Sequence, residues 1–201
     1  GPEEPAAARR VQPTFLGSPA PRPSAAPGGR PLGLFEGYGL AVQYMLPDGD
    51  SLDAAPRADE LLDAAPAPAS AENGDIEFRH ALALHVVELG CKAPRRTLDG
   101  LTEAYAAVVR SANDELGREG LRLMPTAMHP WLDPSAAKLW PHGTERVVYE
   151  TLDKIFSCRT HGWANQQCLK IELPFAGDEE FARLHAAIRF LLPILPGLAA
   201  S

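Results

Sequence analysis

The fold is decided by the stretch Leu34-Phe-Glu-Gly-Tyr-Gly-Leu-Ala-Val-Gln-Tyr-Met-Leu46, in which the apolar content rises sharply after a segment rich in Pro, Ala, Gly and Arg. A second apolar stretch runs from Ile76 to Leu89, after a connection rich in alanine, proline and aspartate. The pattern predicts a strand at each stretch and a surface loop between them. A short helical turn is expected in that loop, around Asp59 to Asp63.

The remaining elements alternate helix and strand. Thr97 is a candidate N-cap for a helix that ends near Gly117 or Gly120. Apolar residues recur at three- and four-residue spacing in this helix: Leu98, Leu101, Tyr105, Val108, Val109, Ala112 and Leu116. Further segments are predicted as a strand (121–128), a helix (144–157), a strand (166–175) and a last helix capped by Asp178 and broken by Pro193 and Pro196. This order predicts an α+β fold, with helices on one face of a largely antiparallel sheet.

Composition excludes several classes of partner. The formal net charge of -7, with no cluster of Lys and Arg, disfavours a nucleic acid. No apolar run approaches the roughly 20 residues that span a bilayer, so no membrane partner is expected. Three cysteines are too few for a disulfide framework and fit a reducing cytoplasm. Residues 1–33 hold little that could be buried, which predicts a disordered tail ahead of a domain at 34–201.

Common catalytic motifs are missing from the sequence: it contains no GxGxxG, GxxxxGK[ST], HExxH or GxSxG. Five other stretches carry a resemblance, in matching order and spacing. They are Phe35 to Tyr44, Leu84-His-Val-Val-Glu-Leu89, Met124-Pro-Thr-Ala-Met-His-Pro-Trp131, His161-Gly-Trp-Ala-Asn-Gln-Gln167 with Leu173-Pro-Phe175, and Glu180 to Pro196.

Together these stretches resemble the N-terminal half of the type-2 glutamate-cysteine ligase family, a group of carboxylate-amine ligases. The resemblance covers about Leu34 to Ser201. It implies a glutamine-synthetase-like half-fold, whose concave sheet holds ATP and magnesium in the family. Such enzymes activate a glutamyl carboxylate as an acyl phosphate, which an amine then attacks. Magnesium neutralises phosphate charge in this chemistry and requires carboxylate oxygens.

The chain departs from the family at the positions that the resemblance assigns to the metal face. Ala41 and Gln43 stand where the family has two glutamates on one face of the first strand. An Asn-Glu pair of the family is replaced by His80 and Ala81, and a His and an Asn are replaced by Lys170 and Glu172. Glu88 is retained. We expect the Lys170 ammonium to lie within salt-bridge distance of Glu88 or Glu172, because a buried carboxylate without its cation is costly.

These replacements predict a degenerate ligase domain that is non-catalytic or depends on a partner. The alternative is an active ligase that uses ATP and magnesium to form a γ-glutamyl amide, and a third is a small-molecule binding module without ATP chemistry. No other cofactor is expected. The closing segment 190–200 carries no charge, so we expect it to be covered by a second copy of the chain or by a complementary ligase subunit.

Other polar residues admit two interpretations each. The resemblance implies substrate or nucleotide contacts at His129, Trp163, Asn165 and Gln167, yet a His-Pro-Trp corner and amides near a Gly turn also serve packing. Zinc ligation by Cys158, His161 and Cys168 would lack both a CxxC pair and a second histidine at the usual spacing.

Overall fold

The computed structural model describes residues 30–63, 75–160 and 162–199. Most of the predicted tail, residues 1–29, lies outside this range, and so does His161. The described chain begins four residues before the predicted domain boundary at Leu34. Leu32, within those four residues, is buried against the domain.

A four-stranded antiparallel sheet forms the centre of the fold, in the order β2-β3-β1-β4. Its strands are β1 (Gly39–Met45), β2 (Ile76–His80), β3 (Val86–Cys91) and β4 (Leu169–Glu172). The described helices are α1 (Ala58–Asp63), α2 (Leu101–Leu116), α3 (Gly143–Phe156), α4 (Asp178–Leu191) and α5 (Leu195–Ala199). Short 3-10 turns lie at Gly117–Glu119, Pro134–Ala136 and Trp163–Asn165. The α+β prediction is confirmed.

Four predicted features are corrected. The N-cap of the last helix is Gly177 and not Asp178, which is the first residue of α4. The single strand expected at 76–89 is a hairpin of β2 and β3, because residues 81–85 leave the ladder and turn back. Helix α2 begins after Gly100, which has φ +69°, and not at Thr97. The strand expected at 121–128 forms only isolated bridges, since Pro125 cannot donate to a ladder.

The two faces of the sheet differ in chemistry, because side chains alternate along each strand and directly opposed residues share a face. One face carries the main apolar core. It packs against α2 through Tyr105, Val108, Ala112 and Leu116. The opposite face, called the polar face below, carries Ala41 and Gln43 of β1, Glu77 and Arg79 of β2, Glu88 and Gly90 of β3, and Lys170 and Glu172 of β4.

Helices α4 and α5 differ from α1, α2 and α3, because neither contains a buried residue. Among the exposed apolar side chains of this region are Phe181, Ile188, Phe190 and Leu198. Within the described ranges, no helix combines the length and the apolar character needed to cross a bilayer.

Candidate functional site

Glu88 is the centre of the polar face. It lies in the middle of β3, directly opposite Gln43 of β1, and its side chain is only 1% exposed. The Lys170 ammonium reaches it from β4, with Nζ 2.5 Å from Glu88 Oε2 and 21% of the lysine side chain exposed. The expected ion pair at Lys170 is therefore confirmed, and its partner is Glu88.

The Gln43 amide links Cys168, the residue that precedes β4, to the same carboxylate. Its Nε2 donates to Glu88 Oε2 at 3.1 Å. Its Oε1 accepts from the backbone N–H of Cys168 at 3.2 Å and from the Cys168 thiol at 3.3 Å. Both ends of the amide are occupied, so the protein itself uses the oxygen that a metal would need.

A second cation approaches Glu88 from β2. Arg79 Nη1 lies 3.9 Å from Glu88 Oε1, while its Nε donates to Glu77 Oε1 at 2.8 Å and its Nη2 to the Cys91 carbonyl at 2.6 Å. The guanidinium lies flat across Gly90, where an added Cβ would be only 2.7 Å from Arg79 Nη1. Glycine at this position therefore allows the cation to reach the carboxylate.

The donor set of the polar face does not fit a magnesium ion. Magnesium takes oxygen ligands in octahedral array, with carboxylates among them. Ala41 has no ligand atom, the Gln43 oxygen is engaged, and Glu88 already binds an ammonium. Over the described ranges, no three His, Cys, Asp or Glu side chains are grouped so that they could hold a metal.

His80 and Ala81, which replace the Asn-Glu pair of the family, have different surroundings. Ala81 is buried and lines a cavity of about 130 Å³ whose polar rim includes Gln43 and Lys170. His80 instead stacks on Trp140, with ring centroids 4.7 Å apart, and its Nδ1 lies 3.1 Å from the Tyr149 hydroxyl. Burial lowers the pKa of His80, so the ring is neutral at physiological pH. The contacts of His80 with Trp140 and Tyr149 give this side chain a packing role.

Glu172 lies at the far end of the polar face, folded over β1. A Cβ added at Gly39 would be 2.9 Å from Glu172 Oε2, so the carboxylate is held close to the glycine backbone. Glu172 is therefore on the predicted face, although Glu88 and not Glu172 binds the Lys170 ammonium.

His129 and Asn165 form a buried corner. The Asn165 side chain accepts from His129 N–H at 3.0 Å and donates to the His129 carbonyl at 3.1 Å. His129 Nε2 lies 2.8 Å from the Leu52 carbonyl oxygen. These bonds hold loops together. Trp163 differs, because it lines the cavity beside Lys170 and packs on Phe156.

Three side chains have buried polar atoms without a hydrogen-bond partner in the described part of the chain. They are Gln167, at both side-chain polar atoms, His85, at Nε2, and Thr126, at Oγ1. Burial lowers the pKa of His85 to about 4, which keeps the imidazole neutral.

The thiols of the zinc interpretation are protonated. Burial raises the pKa of the Cys158 thiol, and partial desolvation raises the pKa of the Cys168 thiol although that residue is exposed. Both shifts disfavour the thiolate that zinc binds. The third residue of that set, His161, lies outside the described residues.

Arg79, Gly90 and Cys168 are site residues that sequence reasoning missed. The first two could have been found from the hairpin register, which places Arg79 opposite Glu88 and Gly90 two residues along β3. Because residues 76–89 were predicted as one strand, that register was not considered. The Cys168 contact depends on the path of residues 166–168 alongside β1, for which the sequence gives no signal.

Comparison with known proteins supplies a family. A sequence profile described as glutamate-cysteine ligase family 2 matches residues 45–201. An uncharacterised protein from Archaeoglobus fulgidus is 32% identical over 132 residues. This match covers 65% of the present chain and 35% of the relative, so the chain spans about a third of that protein's length.

Proposed function

The chain belongs to glutamate-cysteine ligase family 2, and we propose that it is a carboxylate-amine-ligase-like domain whose metal face is filled by its own charges. In this proposal the domain does not catalyse ligation alone: it is either non-catalytic or depends on a partner. The main support for this proposal is the ion pair between the Lys170 ammonium and the buried Glu88 carboxylate.

Charge balance supports the proposal. Ligation through an acyl phosphate needs a surface that attracts magnesium with its phosphates, and carboxylates create that attraction. The polar face carries three carboxylates, Glu77, Glu88 and Glu172, against two cations, Arg79 and Lys170, so its formal charge is only -1. The face has lost most of the negative charge that attracts a divalent cation, and the buried carboxylate at its centre is already paired.

The ion pair at Glu88 also supports the proposal, because the carboxylate already has a cation bound to it. A magnesium ion approaching Glu88 would have to expel an ammonium that lies 2.5 Å from the same oxygen. Cation repulsion at this range is strong where the carboxylate is buried, because water screens it poorly. The lysine therefore acts as a built-in competitor of the metal.

The direct test is turnover. Purified protein is mixed with ATP, magnesium, glutamate and cysteine, and ADP release is followed. We expect no glutamate-dependent release above the rate of a blank without protein. Glutamate-dependent release that disappears in Gln43→Ala would instead favour the alternative, an active ligase forming a γ-glutamyl amide.

A restoration experiment tests the assignment of the face. Ala41→Glu and Gln43→Glu supply two carboxylates, and Lys170→His removes the competing ammonium. The triple variant should bind Mn²⁺, used as a spectroscopic probe of the magnesium site, in electron paramagnetic resonance titrations. A matched control adds two carboxylates at exposed positions of α3, Val147→Glu with Val148→Glu. Equal Mn²⁺ binding by the triple variant and this control would show that the face was never a metal site.

The cellular location is part of the proposal. Cys91, Cys158 and Cys168 are all free thiols, and Cys168 is exposed. Exposed free thiols persist in a reducing compartment, which supports the cytoplasm.

A further inference from the structure

β4 lies at one of the two edges of the sheet, opposite the edge formed by β2. Among the described residues it pairs only with β1, so one row of its backbone donors and acceptors faces away from the fold. Its side chains on the core side of the sheet are open as well, since Leu169 is 59% and Ile171 is 68% exposed. Exposed apolar edges of this kind are templates for pairing with another strand.

The register fixes which backbone groups face outward. Gln43 N–H donates to the carbonyl of Cys168, the residue directly opposite it when the β1–β4 register is continued by one pair. Hydrogen-bonded and non-hydrogen-bonded pairs alternate along an antiparallel ladder. Lys170 and Glu172 therefore direct their backbone groups toward β1, and Leu169, Ile171 and Leu173 direct theirs to the free edge.

We propose that this edge pairs antiparallel with β4 of a second copy of the chain, about a two-fold axis through Ile171. The segment Leu169-Lys-Ile-Glu-Leu173 is complementary to its own reverse: the apolar positions coincide, and lysine meets glutamate. Antiparallel pairing centred on Ile171 places each leucine opposite a leucine. It also places Lys170 opposite Glu172 of the partner subunit, and the partner's Lys170 opposite Glu172.

Backbone geometry favours this register over its neighbours. Ile171 has outward-facing groups, so the central pair can exchange both backbone hydrogen bonds. The Lys170 pair with Glu172 of the partner subunit is then non-hydrogen-bonded, the type in which Cα atoms lie about 4.5 Å apart and side chains are closest. Shifting the register by two residues would leave both opposed charge pairs unmatched, and opposite charges across strands contribute roughly 0.2–1 kcal/mol each.

Apolar surface adjoins the edge. An open groove of about 550 Å³ on the core side is lined by Ile171 together with apolar residues of β1 and α2, among them Leu40, Val42 and Val109. Pairing two copies would join their grooves along the axis and bury both Ile171 side chains. A strand of this length buries less than a standard stable interface, so we expect a dissociation constant in the micromolar range, about 1–50 µM.

The pairing has a consequence for the polar face, because the partner copy contributes a carboxylate to it. Lys170 would then lie between Glu88 of its own chain and Glu172 of the partner subunit. The proposal goes beyond the proposed function and is independent of it. The outer edge of β4 is open whether or not the polar face binds a metal, so the dimer proposal can hold or fail separately from the proposed function.

Sedimentation velocity of the full chain from about 1 to about 200 µM tests the dimer. We expect the wild type to shift from monomer to dimer across this range. Ile171→Lys places two ammonium groups face to face at the axis and should remain monomeric, and so should Ile171→Glu. An equimolar mixture of the two variants should form the heterodimer, since opposite charges then meet.

Val147→Lys is the matched control, because Val147 is exposed on α3, away from β4. It should dimerise as the wild type does, and circular dichroism should show all variants folded. A wild type that stays monomeric throughout the range would overturn the proposal. So would a dimer that survives in Ile171→Lys, or variants that fail to recombine on mixing.

Discussion

Lys170→Met removes the ammonium from the polar face and keeps a side chain of similar length. The variant leaves the Glu88 carboxylate buried, with the Gln43 amide at 3.1 Å and the Arg79 guanidinium at 3.9 Å. Removing one partner of a buried ion pair costs about 3–5 kcal/mol when no other cation is near. Because Arg79 remains and Lys170 is 21% exposed, we expect a loss of about 2–3 kcal/mol in the free energy of unfolding.

A double-mutant cycle isolates the pair. Glu88→Gln alone strands the ammonium, whereas Lys170→Met with Glu88→Gln removes both charges. The double variant should recover most of the loss, with a coupling energy of about 2 kcal/mol between the two positions. Stability is measured by urea unfolding followed by circular dichroism, at constant pH and ionic strength.

A surface pair supplies the control for this cycle. Arg146 and Glu150 form an exposed i,i+4 pair on α3, with Nη1 and Oε1 2.9 Å apart. Arg146→Met should change stability by no more than about 0.5 kcal/mol, because water screens the pair. If the effects of Lys170→Met and Glu88→Gln were additive within about 0.5 kcal/mol, the two side chains would not be coupled and the assigned geometry would be wrong.

Further expectations concern His85 and two glycines. The folded-state pKa of His85, about 4, is below the unfolded value near 6.5, so its contribution is present above pH 6.5 and is lost as pH falls toward 4. Stability should therefore be about 2 kcal/mol lower at pH 5 than at pH 7, and His85→Gln should flatten that difference in urea titrations. Gly90→Ala should cost about 1–3 kcal/mol by pushing Arg79 aside, in the same unfolding assay. Gly117→Ala, with φ -59° and open space around it, should be neutral or stabilise by up to about 1 kcal/mol.

Local pattern was sufficient for much of the fold. The three- and four-residue spacing of Tyr105, Val108 and Ala112 predicted α2, and all three are buried. Helix α3 was also placed within one residue at each end. Both helices present one apolar stripe, a signal that needs no information about distant contacts.

Boundaries that depend on distant contacts were not predicted. The β2–β3 hairpin has no glycine or proline at its turn, so the apolar run 76–89 conceals the reversal. Its turn is held instead by long-range bonds, such as Leu84 N–H to the Lys138 carbonyl. The same limit affected the site. Lys170 was predicted to pair with Glu88 or Glu172 because the resemblance placed them on one face and a buried carboxylate needs a cation. Arg79 became visible only once the register was known.

The central claim is that Lys170 occupies the place of a metal on Glu88, and calorimetric titration with Mg-ATP tests it most directly. Wild-type protein in about 5 mM magnesium should give only the heat of dilution up to about 1 mM ATP, which corresponds to a binding free energy weaker than about -4 kcal/mol. Saturable, magnesium-dependent binding with a dissociation constant well below 1 mM would contradict the claim, because a divalent cation could then share the face with the Lys170 ammonium.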